Sequence, residues 1–140
     1  NNTFRRHTPA MGTGVRIVRS TDITLNGCSI LDEHPDGQPS GASLLELVNC
    51  NRINISGSQL IDGVPCGLDA VGCSNVNVNG CSIHETRTAQ KSKHAVRFSG
   101  KGQSNLLAMN SISPATQESL SIAESSGVRV EGNVMDQPTE

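Results

Sequence analysis

The sequence predicts an all-β solenoid of about five coils, each made of three short strands, and two observations predict it. One phrase recurs, as ITLNGCSI at 23–30, INISGSQL at 53–60 and VNVNGCSI at 76–83, with weaker copies at 105–112 and 128–135. Each copy alternates apolar and other residues and then turns at a Gly and a small residue, which is typical of a half-buried strand ending in a sharp bend. The copies lie 23 to 30 residues apart, and such recurrence is typical of repeat folds.

A second alternating pair of apolar residues precedes each copy, so every repeat holds several strands. These pairs are Val15 and Ile17, Leu45 and Leu47, Leu68 and Ala70, Val96 and Phe98, and Leu120 and Ile122. The repeats are too short for four-stranded propeller blades and lack the apolar stripe of a helix. Coils stacked at about 4.8 Å place equivalent residues directly above one another, which explains why one phrase is repeated.

Composition favours one domain, residues 1–140, and excludes several partner classes. Only 34% of the residues are apolar, and Phe4 and Phe98 are the only aromatic residues, so the core must be built from small aliphatic side chains. A net charge of -2 and the lack of aromatic platforms argue against a nucleic-acid partner. No apolar run approaches the roughly 20 residues that cross a bilayer, so we expect no membrane span.

The turn sequences VRVEGNVM at 128–135 and MNSI at 109–112 resemble the right-handed parallel β-helix proteins of the pectate-lyase-like superfamily, which stack asparagines into a ladder. The ladder position is filled by Cys28, Ser58, Cys81, Asn110 and Asn133. Asn2 fills the same position of an earlier coil, so we expect the C-terminal part of a longer solenoid. Its end coils would meet upstream coils of the parent chain or associate with another copy. The resemblance implies a secreted or cell-surface protein.

Five cysteines suit packing better than disulfides or metal binding. Their number is odd, and none shows paired metal-ligand spacing. Cys50 and Cys73 share one turn position on successive coils and are near enough to bridge in principle. Stacked turns need small buried residues, however, and a free Cys behaves as a small hydrophobe, so we expect packing thiols.

The residues between the inward-facing pairs form an outward column, which carries the sharpest functional signal. The outward column consists of Arg16, Glu46, Asp69, Arg97 and Ser121. Glu46 and Asp69 would be adjacent carboxylates about 5 Å apart, so one of them should hold a proton more tightly. Glu46, Asp69 and Arg97 are therefore the candidate catalytic residues, and Arg16 is a candidate substrate-binding residue. The resemblance implies that a polysaccharide groove runs over this sheet.

Three readings of the outward column stay open. Paired carboxylates at this spacing suit a retaining glycosidase, with an Arg nearby to meet a uronate carboxylate or take a proton. Acidic pairs can also hold Ca²⁺, the one cofactor the sequence suggests. The order of the charges, which is plus, minus, minus, plus, instead allows Arg16 to pair with Glu46 and Arg97 with Asp69, as a structural ladder of surface ion pairs.

Two long connections precede strands of the outward column and could wall a groove. They are LDEHPDGQPSGAS at 31–43 and HETRTAQKSKH at 84–94. Their polar residues suit an acid-base or sugar-binding site, with His84 and His94 as candidate substrate-binding residues. The remaining polar residues of interest are His34, Asp36, Glu85 and Lys93. Loops of this composition also occur as solvated insertions without a function. His7, which stands nearer the N-terminus, is expected to be an exposed loop residue.

The sequence thus supports three functional hypotheses. The first is a β-helix module that binds or processes polysaccharide, as a polysaccharide lyase or glycoside hydrolase if it is an enzyme. The polygalacturonase motifs are absent, since VRIV at 15–18 offers only Arg-Ile without the Lys, and Trp and Tyr platforms are missing. The second is a structural or adhesive solenoid without catalysis. The third, a metal-dependent enzyme, would use the loop histidines, although HETRT at 84–88 is not the zinc motif.

Overall fold

The computed structural model describes residues 2–6, 13–33 and 42–135. Within them the chain forms sixteen strands and one short 3₁₀ turn, Glu124–Ser126. All strand pairings are parallel, and the strands fall into three sheets of five or six strands. The predicted all-β solenoid with about five coils of three short strands is therefore confirmed.

The three sheets are named here in the order in which the chain meets them. Sheet A contains β1 (Thr3–Arg6), β4 (Ser29–Asp32), β7 (Gln59–Ile61), β10 (Ser82–His84), β13 (Ser111–Ile112) and β16 (Val134–Met135). Sheet B contains β2 (Val15–Val18), β5 (Leu45–Val48), β8 (Cys66–Val71), β11 (His94–Ser99) and β14 (Leu120–Ile122). Sheet C contains β3 (Thr21–Asn26), β6 (Asn51–Ser56), β9 (Ser74–Asn79), β12 (Asn105–Ala108) and β15 (Val128–Glu131).

The repeated phrase stacks in register. In sheet C, Ile53 pairs with Ile23 on one side and with Val76 on the other, so equivalent letters of the phrase become vertical neighbours. The alternating pairs behave in the same way in sheet B, where Leu45 lies between Val15 and Leu68. Parallel pairing of strands one coil apart is what a parallel solenoid requires.

The interior is formed by the apolar residues of the alternating pattern. Ile55, Val78 and Leu107 stack in sheet C and are fully buried, as are Leu47 and Leu68 in sheet B. Stacked aliphatic side chains of similar size repeat their packing from coil to coil, which lets a chain poor in aromatic residues close a core. The aliphatic core expected from composition is present, with Phe98 as its one buried ring.

Sharp bends between sheet C and sheet A use the left-handed backbone conformation. Gly80 has a φ of 63°, as the Gly of the repeated phrase predicts, because glycine enters this region without steric cost. In the degenerate fourth copy Met109 takes the same place with a φ of 57°. Its side chain projects into solvent, so the coil keeps its shape at the cost of some backbone strain.

The residue after each bend forms the predicted ladder. The backbone N–H of Cys28 donates to Ser58 Oγ at 3.1 Å, and that of Cys81 donates to Asn110 Oδ1 at 2.9 Å. The Asn110 N–H donates in turn to Asn133 Oδ1 at 2.9 Å. Asn2 occupies the same position at the N-terminal end, since its carbonyl accepts the Ser29 N–H as the Cys28 carbonyl accepts the Gln59 N–H.

Asn105 is a buried amide that the sequence pattern does not single out. It occupies the first position of the degenerate fourth copy, where the other copies of the phrase carry Ile or Val. Its Oδ1 accepts the Val76 N–H at 2.8 Å, and its Nδ2 donates to the carbonyls of Cys73 and Ser126. The amide therefore satisfies backbone groups of neighbouring coils at the corner between sheets B and C.

The cysteines pack as thiols, as the sequence predicts. All five are free and buried. Cys50 and Cys73 are stacked neighbours, with the Cys50 N–H donating to Cys73 Sγ at 3.4 Å. Burial raises the pKa of Cys66, Cys73 and Cys81, which keeps these thiols neutral and poorly reactive.

Candidate functional site

The outward column exists and runs along sheet B. Arg16 pairs with Glu46, Glu46 with Asp69, and Asp69 with Arg97, which pairs in turn with Ser121. Arg16 is exposed, and Glu46, Arg97 and Ser121 are partly exposed, whereas Asp69 is buried. The register therefore places four charged side chains on consecutive coils, spaced at about the 4.8 Å of neighbouring strands.

Asp69 and Arg97 form a two-point ion pair within the outward column. Arg97 Nη2 donates to Asp69 Oδ2 at 2.5 Å, and Arg97 Nε donates to Asp69 Oδ1 at 3.1 Å. The hydroxyl of Ser43 donates to the same carboxylate at 3.4 Å. The hydrogen-bonded carboxylate raises the pKa of Arg97. Both oxygens of Asp69 are thus engaged by one guanidinium, the geometry that Arg–carboxylate pairs favour.

Glu46 has a different environment from that of Asp69. Its partial burial raises the pKa of its carboxyl group, and the negative charge of Asp69 raises it further. Arg16 and Arg97 act in the opposite direction, as does the backbone of Ser43. Among the described residues no ion pair joins Glu46 to Arg16 within 4 Å. Glu46 therefore holds its proton to a higher pH than an ordinary glutamate does.

The geometry distinguishes between two alternatives left open by the sequence, the ladder of ion pairs and the pair of catalytic carboxylates. Half of the predicted ion-pair ladder forms, between Arg97 and Asp69, while Arg16 and Glu46 remain separate. The two carboxylates are consequently not an equivalent acid-base pair, because Asp69 accepts from Arg97 through both oxygens. Arg97 is 37% exposed at its side chain and still faces solvent. The outward column can therefore offer hydrogen bonds and positive charge to a ligand more readily than it can offer two free carboxylates.

Cys66 and Ser43 lie beside the ion pair and were not predicted as part of the site. Cys66 begins β8 and is completely buried, and burial is the main cause of its raised pKa. The positive charge of Arg97 and a hydrogen bond with Ser43 lower this pKa in part. A buried neutral thiol of this kind cannot serve as a nucleophile, so Cys66 supports the site by packing.

His84 and His94 do not converge on the outward column. His84 ends β10 in sheet A, and its Nε2 lies 3.1 Å from Ser111 Oγ. His94 begins β11 in sheet B and is buried, with Nδ1 2.7 Å from the carbonyl oxygen of Glu118. The nine residues between the two histidines carry the chain from one sheet to the next. Ligand contact by either histidine stays a prediction.

Residues 85–93, which precede β11, are held in place by a buried carboxylate. Glu85 accepts hydrogen bonds from the backbone N–H groups of Lys91 and Ser92, at 2.9 to 3.2 Å. Arg87 Nη1 donates to Glu85 Oε2 at 3.0 Å and to the Asp62 carbonyl at 3.0 Å. The connection is therefore anchored at several points, as a wall beside sheet B would need to be.

Other residues singled out from the sequence fall elsewhere. His7, His34 and Asp36 lie outside the described residues. In the part of the chain that the structure describes, no group of three or more His, Cys, Asp or Glu side chains is arranged to hold a metal ion. Glu46 and Asp69, the acidic pair considered for Ca²⁺, provide two carboxylates, and the carboxylate of Asp69 is already bound to Arg97.

Comparisons with known proteins give one result. A family model described as a right handed beta helix region matches residues 1–138, which is nearly the whole chain. Searches among curated proteins and among solved structures found no match. Within the described residues, no helix is long and apolar enough to cross a membrane.

Proposed function

Because the chain belongs to the right-handed β-helix family, we propose that it binds polysaccharide on the outer face of sheet B, along the outward column. Fold alone does not determine function, so the proposal depends on the side chains. An extended ligand lying along the solenoid axis would meet Arg16, Glu46 and Arg97 on the first, second and fourth of four successive coils. A linear polymer of repeating units suits such a periodic surface.

The carboxyl group of Glu46 is the single observation that carries the proposal. Like any carboxyl group it donates a hydrogen bond when protonated and accepts one when ionised, which matches the hydroxyl groups of a sugar, and its raised pKa extends the protonated form to higher pH. Arg16 and the exposed part of Arg97 flank it with positive charge. These guanidinium groups suit a uronate carboxylate or a ring of hydroxyls, because charge-assisted hydrogen bonds are the stronger ones.

The same geometry favours binding over cleavage. A glycoside hydrolase or polysaccharide lyase that used Glu46 and Asp69 together would need both carboxylates free for proton transfer or nucleophilic attack. Asp69 is instead buried and bound at two points by Arg97. We therefore assign Asp69 to holding Arg97 in place, with Glu46, Arg16 and Arg97 as the ligand-binding groups. The proposal includes a secreted or cell-surface location, where polysaccharide would be met.

A glycan array that holds neutral and uronate-containing polysaccharides tests the proposal, followed by titration calorimetry on any ligand found. Arg16→Gln should weaken binding about tenfold, the equivalent of one charge-assisted hydrogen bond. Glu46→Gln should weaken it to a similar extent. Arg52→Gln is the matched control, because Arg52 is an exposed arginine on sheet C whose loss should leave affinity unchanged. Absence of glycan binding, or an equal loss in the Arg52 control, would refute the proposal.

The second candidate function is that of a structural or adhesive solenoid. The ion pair between Asp69 and Arg97 favours this candidate, because such a pair can stabilise stacked coils without a ligand. In that case variants of the outward column would change the melting temperature only. A protein partner recovered without any dependence on glycan would support this candidate against the first.

A further inference from the structure

We propose that a row of valines on sheet B forms the second half of the polysaccharide site and receives the apolar face of the sugar rings. This valine row consists of Val18, Val48 and Val71, and strand pairing aligns the three residues on successive coils. The inference rests on the proposed function and adds to it the class of ligand. That class is a polysaccharide whose units have one ring face formed mainly of C–H groups and an edge that carries hydroxyl groups.

The valine row runs parallel to the outward column. Val18, Val48 and Val71 each stand two residues after a member of that column, so they project from the same outer face of the sheet. The two rows are separated by about 6.6 Å along the strands, and the members of one row are spaced by about 4.8 Å across them. Each of these three coils therefore presents one charged and one apolar side chain to the same stretch of ligand.

The valine row is accessible to solvent although its side chains are apolar. Val71 is 38% exposed, and Val18 and Val48 are half-buried, whereas the inward-facing Leu47 and Leu68 are fully buried. Single exposed valines are ordinary on protein surfaces, but three of them in register on neighbouring coils make a continuous apolar strip. A ligand that covered this strip would remove apolar surface from water.

Small residues leave Val71 uncovered on its far side. Ser99 follows Val71 in register on the next coil. Gly100 has a φ of 75°, and a Cβ atom at this position would lie 2.9 Å from the backbone nitrogen of Gly72 and 3.7 Å from Cγ1 of Val71. The backbone therefore requires glycine here, and glycine leaves the methyl groups of Val71 open to a ligand.

The valine row offers side chains but no backbone groups. The carbonyl of Val48 accepts the Arg19 N–H and that of Val71 accepts the Asn49 N–H, both at 2.8 Å. Since the backbone beneath the row is paired between coils, it gives an added protein strand nothing to pair with. The row is also only one side chain wide, whereas a stable protein interface buries about 800 Å² on each partner. A narrow linear ligand fits this surface better than a protein does.

A sugar ring combines the two kinds of surface that sheet B presents. Valine side chains are short, while those of Arg16 and Glu46 are long and rise above the sheet. A ring that lies flat over the valine row can thus place its C–H face on the methyl groups and the hydroxyl groups of one edge against the outward column. The chain has no Trp or Tyr, whose aromatic rings would supply a larger apolar platform, so the valine row takes that role.

Titration calorimetry with two probes, cellohexaose as a neutral oligomer and hexagalacturonate as a uronate oligomer, tests the inference. Val48→Thr and Val71→Thr keep the β-branched shape and remove one methyl group each. Each should weaken binding about fourfold, the equivalent of one buried CH₂ group. Ser99→Val, which extends the row to the coil of Arg97, should strengthen binding. Ile61→Thr, on the outer face of sheet A, is the matched control and should leave affinity unchanged.

The heat-capacity change of binding distinguishes an apolar contact from a structural effect. Burial of apolar surface makes this change negative. Val48→Thr and Val71→Thr should therefore make it less negative, while Arg16→Gln should lower the affinity and leave the heat-capacity change nearly intact. Melting temperatures of the variants close to that of the unchanged chain would show that the valines act on the ligand and leave the fold intact.

The outcomes also separate this inference from the function on which it rests. If Arg16→Gln weakens binding while Val48→Thr and Val71→Thr bind like the unchanged chain, the outward column binds the ligand and the role of the valine row is wrong. If neither oligomer binds to the unchanged chain, the proposed function fails and the inference fails with it. Equal losses in the valine variants and in Ile61→Thr would overturn the inference as well, because the effect would then not be specific to sheet B.

Discussion

Removing Arg97 should destabilise the fold substantially, because it leaves the buried carboxylate of Asp69 without its counter-ion. The variants are Arg97→Met, Asp69→Asn and the double variant. Arg97→Met keeps much of the length and packing of the side chain but removes both hydrogen bonds to Asp69, at 2.5 and 3.1 Å. Only the longer contact from Ser43 would then remain.

The expected magnitude follows from the burial of the two partners. Breaking a fully buried ion pair costs about 3 to 5 kcal/mol, whereas an exposed pair contributes at most about 1 kcal/mol. Asp69 is 7% exposed, but the Arg97 side chain is 37% exposed, so water can replace part of what is lost. We expect Arg97→Met to lower the free energy of unfolding by about 2 kcal/mol. Asp69→Asn should cost about 1 kcal/mol, because the freed guanidinium can be hydrated.

Urea unfolding followed by circular dichroism measures these values, and the double variant gives the coupling energy. A coupling of about 1 kcal/mol or more would confirm that Asp69 holds Arg97. A coupling below about 0.5 kcal/mol would refute the reasoning. Asp69 would then be free for proton transfer, and the preference for binding over cleavage would fail.

Two further predictions concern the ladder and pH. Asn110→Ala should lower the free energy of unfolding by about 3 kcal/mol, since it leaves the Cys81 N–H unsatisfied and removes a hydrogen bond to the Val78 carbonyl. Asn54→Ala, at an amide oxygen without a partner, should cost much less in the same urea titration. Glu46 has a raised pKa when folded, so its protonated form adds stability at low pH that is lost as pH rises through that pKa. Thermal melting across the acidic to neutral range should show this loss, and Glu46→Gln should remove it. Melting that responds to pH identically in both proteins would contradict the assignment.

The stacking of the coils could be predicted because the side-chain period of a strand is two and the phrase repeats. Alternation in INISGSQL at 53–60 determines that Ile53 and Ile55 face inward, and recurrence of the phrase determines what lies above them. The outward column follows from the same reasoning, since Glu46 must point opposite to Leu45 and Leu47. These features depend on backbone geometry alone.

Features that depend on side-chain conformation could not be predicted from the pattern. The strand register places Arg16 beside Glu46 just as it places Arg97 beside Asp69, yet only Arg97 and Asp69 form an ion pair. A long flexible side chain can reach several positions, so the spacing of backbones does not decide which contact forms. Ser43 lies at the end of a long connection, before β5 begins, so the alternating pattern of the strands gives no sign of its contact with Asp69.

The burial of the Glu85 and Asn105 side chains could not be predicted, for a related reason. Glu85 stands in a polar stretch that reads as a solvated loop, and nothing nearby in the sequence shows that it accepts the Lys91 and Ser92 N–H groups. Asn105 occupies a position that is apolar in the other copies of the phrase. A polar residue at an otherwise apolar repeat position is a usable signal, because a buried amide must find partners.

Backbone amide chemical shifts, recorded by NMR while a bound glycan is titrated, test the central claim most directly. The account predicts that the largest shifts fall on sheet B around Arg16, Glu46 and Arg97, with little change in sheets A and C. Shifts confined to sheet A or sheet C, or no shifts for any glycan, would contradict the assignment of the outward column as the binding surface.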